Sequence, residues 1–227
     1  ELNDSLTRLT DKIISDFNNL KEFTENASHE MQTPLAIMQS KSEMLLQSEN
    51  LNPEHIDNIR AIYTSVQRLS KLNKTLLLLS KIENNQFTEK ETIDVNKSIE
   101  RQLEIFEDFI ENKELELVMN TAMDVTIEAN PLLFDMVISN LISNAIKHNV
   151  KGGNITISTT KLFVSVSNSG APTKLDSSSL FERFKKESQS SNSFGLGLAI
   201  VKKVCDNYNW KITHSFAEEQ HNISVYF

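Results

Sequence analysis

All five glycines of this 227-residue chain lie in its last third, at positions 152, 153, 170, 195 and 197. Tight turns and positive backbone φ angles generally need glycine, so a long stretch without one favours long helices with few turns. The glycine-bearing end favours turns and strands instead. The glycine distribution therefore predicts two architectures in one chain.

The first segment carries apolar residues at steps of three and four, which is the spacing of one helix face. These residues are Leu6, Leu9, Ile13, Phe17, Leu20, Ala27, Met31, Leu35, Met38 and Leu45. After a break, Asn52 can cap a second helix that begins at Pro53 and carries its own stripe as far as Ile82. Two helices bury only one side of each stripe. We therefore expect an antiparallel helical hairpin that forms a dimeric four-helix bundle, with packing onto the rest of the chain as the alternative.

Residues 84–92 are polar and lack periodicity, so we interpret them as the domain boundary and assign residues 1–86 and 87–227 to two domains. Beyond the boundary, helical and strand-like patterns are mixed. Helices are predicted over 96–111, 131–148 and 197–207, and strands over 115–119, 125–128, 155–159, 163–167, 210–216 and 223–227. This mixture predicts a two-layer α/β sandwich.

The net charge of -8 argues against nonspecific binding to nucleic acid or to an anionic membrane surface. No apolar run approaches the roughly 20 residues that span a bilayer. The single cysteine, Cys205, cannot form an intrachain disulfide. The chain also begins without Met and already in helical periodicity, from which we expect a piece of a longer protein.

The first helix carries His29 on the side away from the apolar stripe, with Glu30 one step round the helix and the pair Thr33-Pro34 about one turn further on. A proline inside a helix costs roughly 3 kcal/mol, and no turn is needed at this point. Surface histidines beside glutamates are nevertheless common. Local physics therefore leaves a functional histidine and an ordinary surface histidine equally open.

Four polar side chains share one face of the helix predicted over residues 131–148: Asn140, Asn144, Lys147 and His148. Amide oxygens can bind a hydrated Mg²⁺, and an ammonium group can bind phosphate. The alternative is a polar face in contact with water.

Two glycine-bearing stretches follow. Asn168 stands near the end of a predicted strand, just before Gly170, where an amide can pair with a nucleobase edge or belong to an ordinary turn. Gly195-Leu196-Gly197 leads into a helix, whose first N–H groups favour an anion, although its spacing is neither that of a P-loop nor that of a dinucleotide fingerprint. Residues 172–193, rich in Ser and Lys, are long enough to form a lid over a ligand.

The order of these motifs resembles that in the cytoplasmic kinase core of a bacterial sensor histidine kinase of a two-component system, over essentially the whole chain. The matching stretches are His29–Leu35 (H-box), Asn140–His148 (N-box), Ser167–Gly170 (first glycine box), Leu180–Phe184 (F-box) and Phe194–Leu198 (second glycine box). The resemblance implies that the second domain has the Bergerat-type ATP-binding fold.

The resemblance also implies roles for residues of the first domain. His29 would be the phosphoacceptor, with its Nε2 attacking the γ-phosphate of ATP. Glu30 would hold the proton on the other ring nitrogen, and Thr33 would position water when the kinase dephosphorylates its partner.

For the second domain the implied cofactors are ATP and Mg²⁺. Asn144 would bind Mg²⁺ with help from Asn140, Lys147 would contact phosphate, and Asn168 would contact adenine. Gly195 and Gly197 would contact the phosphates. The remaining implied nucleotide-binding residues are His148, Gly170, Phe181 and Leu196.

Four positions depart from the family pattern: Asn168 replaces an Asp, Pro172 and Ser193 replace glycines, and Gln32 replaces a common Arg. We expect weaker nucleotide binding from these changes. The predicted activity is autophosphorylation on His29 followed by transfer to an aspartate of a response regulator. The alternatives are a nucleotide-binding scaffold that acts mainly as a phosphatase or signalling partner, and a structural coiled-coil dimer fused to an inert α/β domain.

The partners implied by the resemblance are a second copy of the chain and the receiver domain of a response regulator. No nucleic acid and no direct membrane contact are expected for this fragment. Its expected place is the cytoplasmic portion of a bacterial inner-membrane protein.

Overall fold

The computed structural model describes residues 6, 9, 12, 26–27, 30–47, 52–171, 179–185 and 194–227. The chain divides into two compact units, residues 1–84 and 85–227. The described part of the first unit is helical and the second unit mixes helices with a sheet, as the glycine distribution predicts.

The first unit contains helix α1, which includes residues 30–46 and continues through Pro34, and helix α2, Pro53–Glu83. Leu35 and Ser42 of α1 and Val66 and Asn73 of α2 are buried, each pair spaced by seven residues. A hydrogen bond from Tyr63 Oη to Glu43 Oε1, 2.8 Å long, joins the two helices. The predicted hairpin is therefore confirmed.

The predicted apolar stripe does not all lie inside this hairpin. Met31, Met38 and Leu45 are 49%, 43% and 49% exposed. On α2, three more apolar residues with the same seven-residue spacing are also exposed: Ile62, Leu69 and Leu76. The stripe on each helix is therefore wider than one neighbouring helix can cover.

The second unit is built on a five-stranded sheet with the order β2-β4-β5-β7-β6. Its strands are β2 (Glu116–Thr121), β4 (Asn154–Thr159), β5 (Phe163–Ser169), β6 (Lys211–Ala217) and β7 (Gln220–Tyr226). Strands β2 and β4 are parallel, and the other neighbours are antiparallel. Every second residue of β4 is buried, as expected for a sheet with one face toward the core, and β5 and β7 have continuous buried runs at residues 164–166 and 223–225.

The helices of this unit are α3 (Val95–Asn112), α4 (Pro131–Lys147) and α5 (Gly197–Tyr208), with a short 3-10 helix at Ser179–Phe181. Helix α4 packs against both α3 and α5. Its buried side chains, which include Phe134 and Leu141, fill the core, where the ring of Phe134 meets those of Trp210 and Phe227. Among the described residues, no helix is both long and apolar enough to cross a membrane.

A second, two-stranded sheet was not predicted. Strand β1 (Glu91–Asp94) pairs with β3 (Thr126–Ala129), placing Ile93 opposite Ile127. The end of the predicted linker, Glu91 and Thr92, therefore lies in a strand. Only Ile93 of β1 is buried, and a single apolar residue cannot show the alternation of apolar and polar residues by which a strand is recognised in a sequence.

Both ends of helix α4 are held by side chains. Asn130 accepts a hydrogen bond from Leu133 N (3.2 Å), and Pro131 occupies the first turn. At the other end, Lys113 Nζ donates to the carbonyl oxygens of Ile146 (2.7 Å) and Lys147 (3.1 Å). Partial burial lowers the pKa of Lys113, but the ammonium remains well placed to satisfy the last carbonyls of the helix.

We expect Asn130→Ala to lower the free energy of unfolding by about 1 kcal/mol or somewhat more, because it removes the cap and the bond from Asn130 Nδ2 to Glu89 O. Asn130→Ser, which keeps a capping oxygen, should recover most of this loss. Urea denaturation of the three proteins measures the difference. Equal destabilisation by Ala and Ser would contradict the capping role.

Candidate nucleotide and phosphoacceptor sites

In the first unit, the predicted phosphoacceptor His29 lies outside the described residues. Glu30 and Thr33 lie on α1, are both exposed, and are three residues apart, so they share one side of the helix. The buried Leu35 faces the hairpin interior. The described part of α1 therefore presents a carboxylate and a hydroxyl to solvent where the sequence predicts the phosphotransfer residues.

In the second unit, the polar ridge of α4 faces away from the core. Asn140 and Asn144 are half-buried, and Lys147 and His148 are exposed at the end of the helix. Asn140 Nδ2 donates to Met136 O (2.7 Å), which fixes the orientation of the amide. Its Oδ1 points to the beginning of α5, where a Cβ on Gly197 would lie only 2.8 Å away.

The first turn of α5 has no side-chain cap. Leu196 occupies the N-cap position and is buried, and it offers no side-chain hydrogen bond. The initial N–H groups of a helix have no intrahelical partners and carry partial positive charge. The Asn140 amide oxygen and this helix terminus therefore lie side by side, a combination suited to a hydrated cation and an anion.

A backbone contact joins the residues just before α5 to the segment at residues 184–185. Phe184 N donates to Gly195 O (3.0 Å), and a Cβ on Gly195 would lie 2.2 Å from Lys185 O. Gly195 also has a φ of +65°, which side-chain-bearing residues seldom adopt. The 3-10 helix that ends at Phe181 packs against α5. The predicted lid residues Pro172 and Ser193 lie outside the described residues.

The end of strand β5 meets the end of α4. Asn168 is 3% exposed, and its Nδ2 donates to Ser169 O (2.9 Å). A Cβ on Gly170 would lie 3.1 Å from the carbonyl oxygen of His148 and 3.0 Å from the ring of His221. Because Gly170 has no side chain, the end of β5, the C-terminal end of α4 and the ring of His221 can come into close contact.

Three residues near these motifs were not found from the sequence: Lys113, His214 and His221. Lys113 follows α3 and caps α4, a contact between residues 33 positions apart that no local pattern indicates. His221 pairs directly with Asn168 across β5 and β7. It was missed because the last strand was predicted to begin at residue 223, whereas β7 begins at Gln220.

The donor set around α4 fits Mg²⁺ rather than a soft metal. Within the described ranges, no group of three or more His, Cys, Asp or Glu side chains could hold a metal ion. Mg²⁺ is commonly held by only one or two protein oxygens together with phosphates and water. The half-buried amides of Asn140 and Asn144 can supply such oxygens.

Comparison with protein families matches both halves of the chain. The family described as "His Kinase A (phospho-acceptor) domain" matches residues 19–85. The family described as "Histidine kinase-, DNA gyrase B-, and HSP90-like ATPase" matches residues 129–226.

A similar curated relative is the heme sensor protein HssS of Staphylococcus aureus, which is 34% identical over 210 residues, covering 88% of this chain and 44% of that protein. This chain spans less than half the length of the curated relatives it matches, between 43% and 47% for three of them.

Two solved structures are also similar. Full-length ShkA in complex with AMPPNP has a TM-score of 0.73 at 19% identity, over 90% of this chain and 45% of that chain, and supports the fold. Histidine kinase ThkA in complex with response regulator protein TrrA has a TM-score of 0.61 at 25% identity, over 91% of this chain and 60% of that chain. The predicted fold class, a helical domain followed by an ATPase-type α/β sandwich, is confirmed.

The contact at Gly195 can be tested against a matched glycine. Gly152 also has a positive φ, +71°, but a Cβ there would meet nothing within 4 Å. Gly152→Ala should therefore lower the free energy of unfolding only by the cost of a positive φ in a residue with a side chain, roughly 1–2 kcal/mol. Gly195→Ala should cost at least about 1 kcal/mol more, because its Cβ would clash with the Lys185 backbone.

Chemical denaturation measures both costs, and hydrogen exchange at the Phe184 amide reports the local contact. We expect Phe184 to lose protection only in Gly195→Ala. Equal costs and unchanged Phe184 protection would contradict the close approach at Gly195.

Proposed function

Because the chain belongs to the sensor histidine kinase family and carries its phosphoacceptor and ATPase-type domains, we propose that it is an ATP-dependent autokinase. In this proposal His29 takes the γ-phosphoryl group of ATP and passes it to an aspartate in the receiver domain of a response regulator. We further propose that the chain, which spans less than half the length of the curated relatives it matches, is the kinase core of a longer receptor and lies on the cytoplasmic side of the membrane.

The observation that carries the nucleotide part of this proposal is the convergence of motifs that are far apart in sequence. Gly197 lies against Asn140, Gly170 against the carbonyl of His148, and Gly195 against the Lys185 backbone. These three glycines allow backbone to approach neighbouring groups at distances that a Cβ would prevent. A polar ridge, an uncapped helix terminus and a buried amide thereby share one side of the second unit.

Each group has a distinct task in binding. The first N–H groups of α5, after Gly195 and Leu196, bind phosphate oxygens. Asn144, assisted by Asn140, holds Mg²⁺, and Lys147 adds positive charge at the phosphates. Bound Mg²⁺ neutralises charge on the phosphates during transfer.

The base side of the pocket is formed by β5 and its neighbours. Asn168 donates to Ser169 O, and its Oδ1 can accept a hydrogen bond from the amino group of adenine. Gly170, the end of α4 at His148 and the apolar side chain of Phe181 complete the set that we assign to the nucleotide. Because Asn168 is neutral, its hydrogen bond to adenine is weaker than that of an ionised aspartate.

Phosphoryl transfer then needs positioning more than covalent chemistry from the protein. His29 Nε2 forms a bond to the γ-phosphorus while the bond to the bridging β-γ oxygen breaks, and ADP leaves. Glu30 accepts the hydrogen bond from His29 Nδ1–H, which keeps the lone pair on Nε2 and stabilises the charge that develops on the ring. The phosphoryl group passes next to a carboxylate oxygen of the regulator.

Two observations favour a second activity on the same scaffold. Thr33 is exposed on the same side of α1 as Glu30, where a hydroxyl can orient water toward a phosphorylated aspartate. In addition, the neutral Asn168 makes a weaker hydrogen bond to adenine, which weakens the ATP binding that autophosphorylation needs. A protein that acts mainly as a regulator phosphatase would bind nucleotide but would not label itself.

The proposal that the chain forms a dimer rests on the exposed apolar residues of the helical hairpin. Met31, Met38 and Leu45 on α1 share a seven-residue spacing, and so do three exposed apolar residues on α2. A second hairpin with the same spacing can cover these residues by knobs-into-holes packing. We therefore propose a homodimeric four-helix bundle.

Incubation of the purified chain with Mg²⁺ and γ-labelled ATP tests the proposed activity. We expect an acid-labile, base-stable label on the wild-type protein and none on His29→Gln. Label that persists in His29→Gln would overturn the assignment of His29. Nucleotide binding without any label, together with phosphate release from a phosphorylated regulator, would favour the phosphatase instead.

Asn144→Asp should slow self-labelling by roughly 100-fold or more, because a carboxylate changes the metal coordination and repels the phosphates. Its melting temperature should stay close to that of the wild type, since Asn144 is only half-buried. Asn120→Asp, which adds the same charge at an exposed position of β2, serves as the control and should label normally. Normal labelling of Asn144→Asp would contradict its role.

Leu69→Glu should weaken the dimer at least about 100-fold, because it buries an unpaired carboxylate in the bundle. Gln67→Glu, at a nearby exposed position of the same helix, should leave association unchanged. Sedimentation equilibrium measures both, with circular dichroism as a check on helix content. A Leu69→Glu protein that remains as dimeric as the wild type would exclude this face as the interface.

A further inference from the structure

The backbone that follows β5 is tied to the last strand of the sheet at Gly170 and Ala171. Backbone bonding between β5 and β7 continues as far as the bond from Gly170 N to Glu219 O, 3.0 Å long. The next bond comes from a side chain, since His221 Nε2 lies 2.7 Å from Ala171 O. His221 therefore holds the chain at the point where it leaves the sheet and enters residues 172–193.

The ring of His221 lies over Gly170 and beside the amide that we assign to adenine. A Cβ on Gly170 would come within 3.0 Å of Cδ2 of this ring. Asn168, His221 and Phe216 form one row across β5, β7 and β6, so their side chains share one face of the sheet. The ring of Phe216, with its centroid 4.6 Å from that of His221, packs against it in this row.

A second histidine holds the other nitrogen of the ring. His214 Nε2 lies 3.1 Å from His221 Nδ1, and the two ring centroids are 5.4 Å apart. The centroid distance is close to the distance between the nitrogens plus the two ring radii, so the nitrogens point at each other along nearly one line. The contact is therefore a well-aligned N–H···N hydrogen bond.

The carbonyl group of Ala171 decides which nitrogens carry protons. A carbonyl oxygen only accepts, so His221 Nε2 carries a proton and donates it. In the neutral ring Nδ1 is then an acceptor, and the facing His214 Nε2 is the donor. Hydrogen bonds thus run in one direction from His214 through His221 to Ala171 O. Because the His221 ring is held at both nitrogens, it cannot rotate without breaking two hydrogen bonds.

We propose that His221, held in place by His214, is a positioning residue for the base end of the nucleotide site. This inference rests on the proposed binding of ATP beside Asn168. His221 fixes the backbone of Gly170 and Ala171 before the nucleotide arrives, so that binding does not have to order this segment. Because its hydrogen bonds run to a backbone carbonyl and to another histidine, His221 sets the affinity for ATP and not the rate of phosphoryl transfer.

Substitutions at the two histidines test this role. His221→Phe keeps a ring over Gly170 but removes both hydrogen bonds. It should raise the Kd and the KM for ATP about fivefold or more, while kcat at saturating Mg²⁺ and ATP stays within about twofold of the wild type. His221→Gln, whose amide N–H can still donate to the carbonyl, should recover part of the affinity.

Two further variants complete the series. His214→Phe removes only the donor to His221 Nδ1 and should raise the Kd less than His221→Phe does. Ser215→Val, at the exposed position of β6 next to His214, is the matched control and should bind ATP as the wild type does. Melting curves establish that each variant is folded, and His214→Phe carries the comparison if His221→Phe does not fold.

Nitrogen-15 NMR of the histidine-labelled chain gives a signature of the hydrogen bond between the rings. We expect a through-hydrogen-bond coupling between His214 Nε2 and His221 Nδ1 in the wild type and none in His214→Phe. Absence of this coupling in the wild type, or an ATP affinity unchanged in both Phe variants, would overturn the positioning role and leave the proposed nucleotide site intact. A wild-type chain that does not bind ATP would overturn both.

Discussion

The second unit depends on one close approach, at which the first residue of α5, Gly197, lies against the amide of Asn140 on α4. A Cβ at residue 197 would come within 2.8 Å of Asn140 Oδ1, and the bond from Asn140 to Met136 O restrains that amide. Any larger residue would separate the two helices or break the bond. The same approach brings the unsatisfied N–H groups of α5 beside amide oxygens, so helix packing and the proposed phosphate and Mg²⁺ chemistry share one cause.

Glycine has the same use at two further points of this unit. Gly170 lets the end of β5 meet the terminus of α4, and Gly195 lets the backbone before α5 meet Lys185. A site built largely from backbone groups is insensitive to side-chain rotamer changes, but it requires glycine at the positions where a Cβ would not fit. The first unit has no glycine, and its proposed task differs, because α1 presents Glu30 and Thr33 to solvent from the side of a helix.

Most of the fold was predictable where a local signal was strong. Asn130-Pro131 marked the start of α4 because capping is a local interaction, and short strand-like runs marked the strands of the central sheet. Strand β1 could not be predicted, because its pairing with β3 joins residues far apart in sequence and buries only Ile93. Likewise, the order of motifs indicated the candidate site, but the neighbours Lys113 and His221 depend on tertiary contacts. The sequence alone also did not indicate which apolar residues of α1 are buried inside the hairpin and which are exposed.

We propose that ATP binds where α4, α5 and the end of β5 converge. Hydrogen exchange of the chain with and without Mg²⁺ and a non-hydrolysable ATP analogue tests this most directly. Nucleotide bound at this position should protect residues 140–148, 168–170 and 195–200 from exchange and leave the β6–β7 turn and β2 unchanged. Protection confined to other segments, or none at saturating nucleotide, would contradict it.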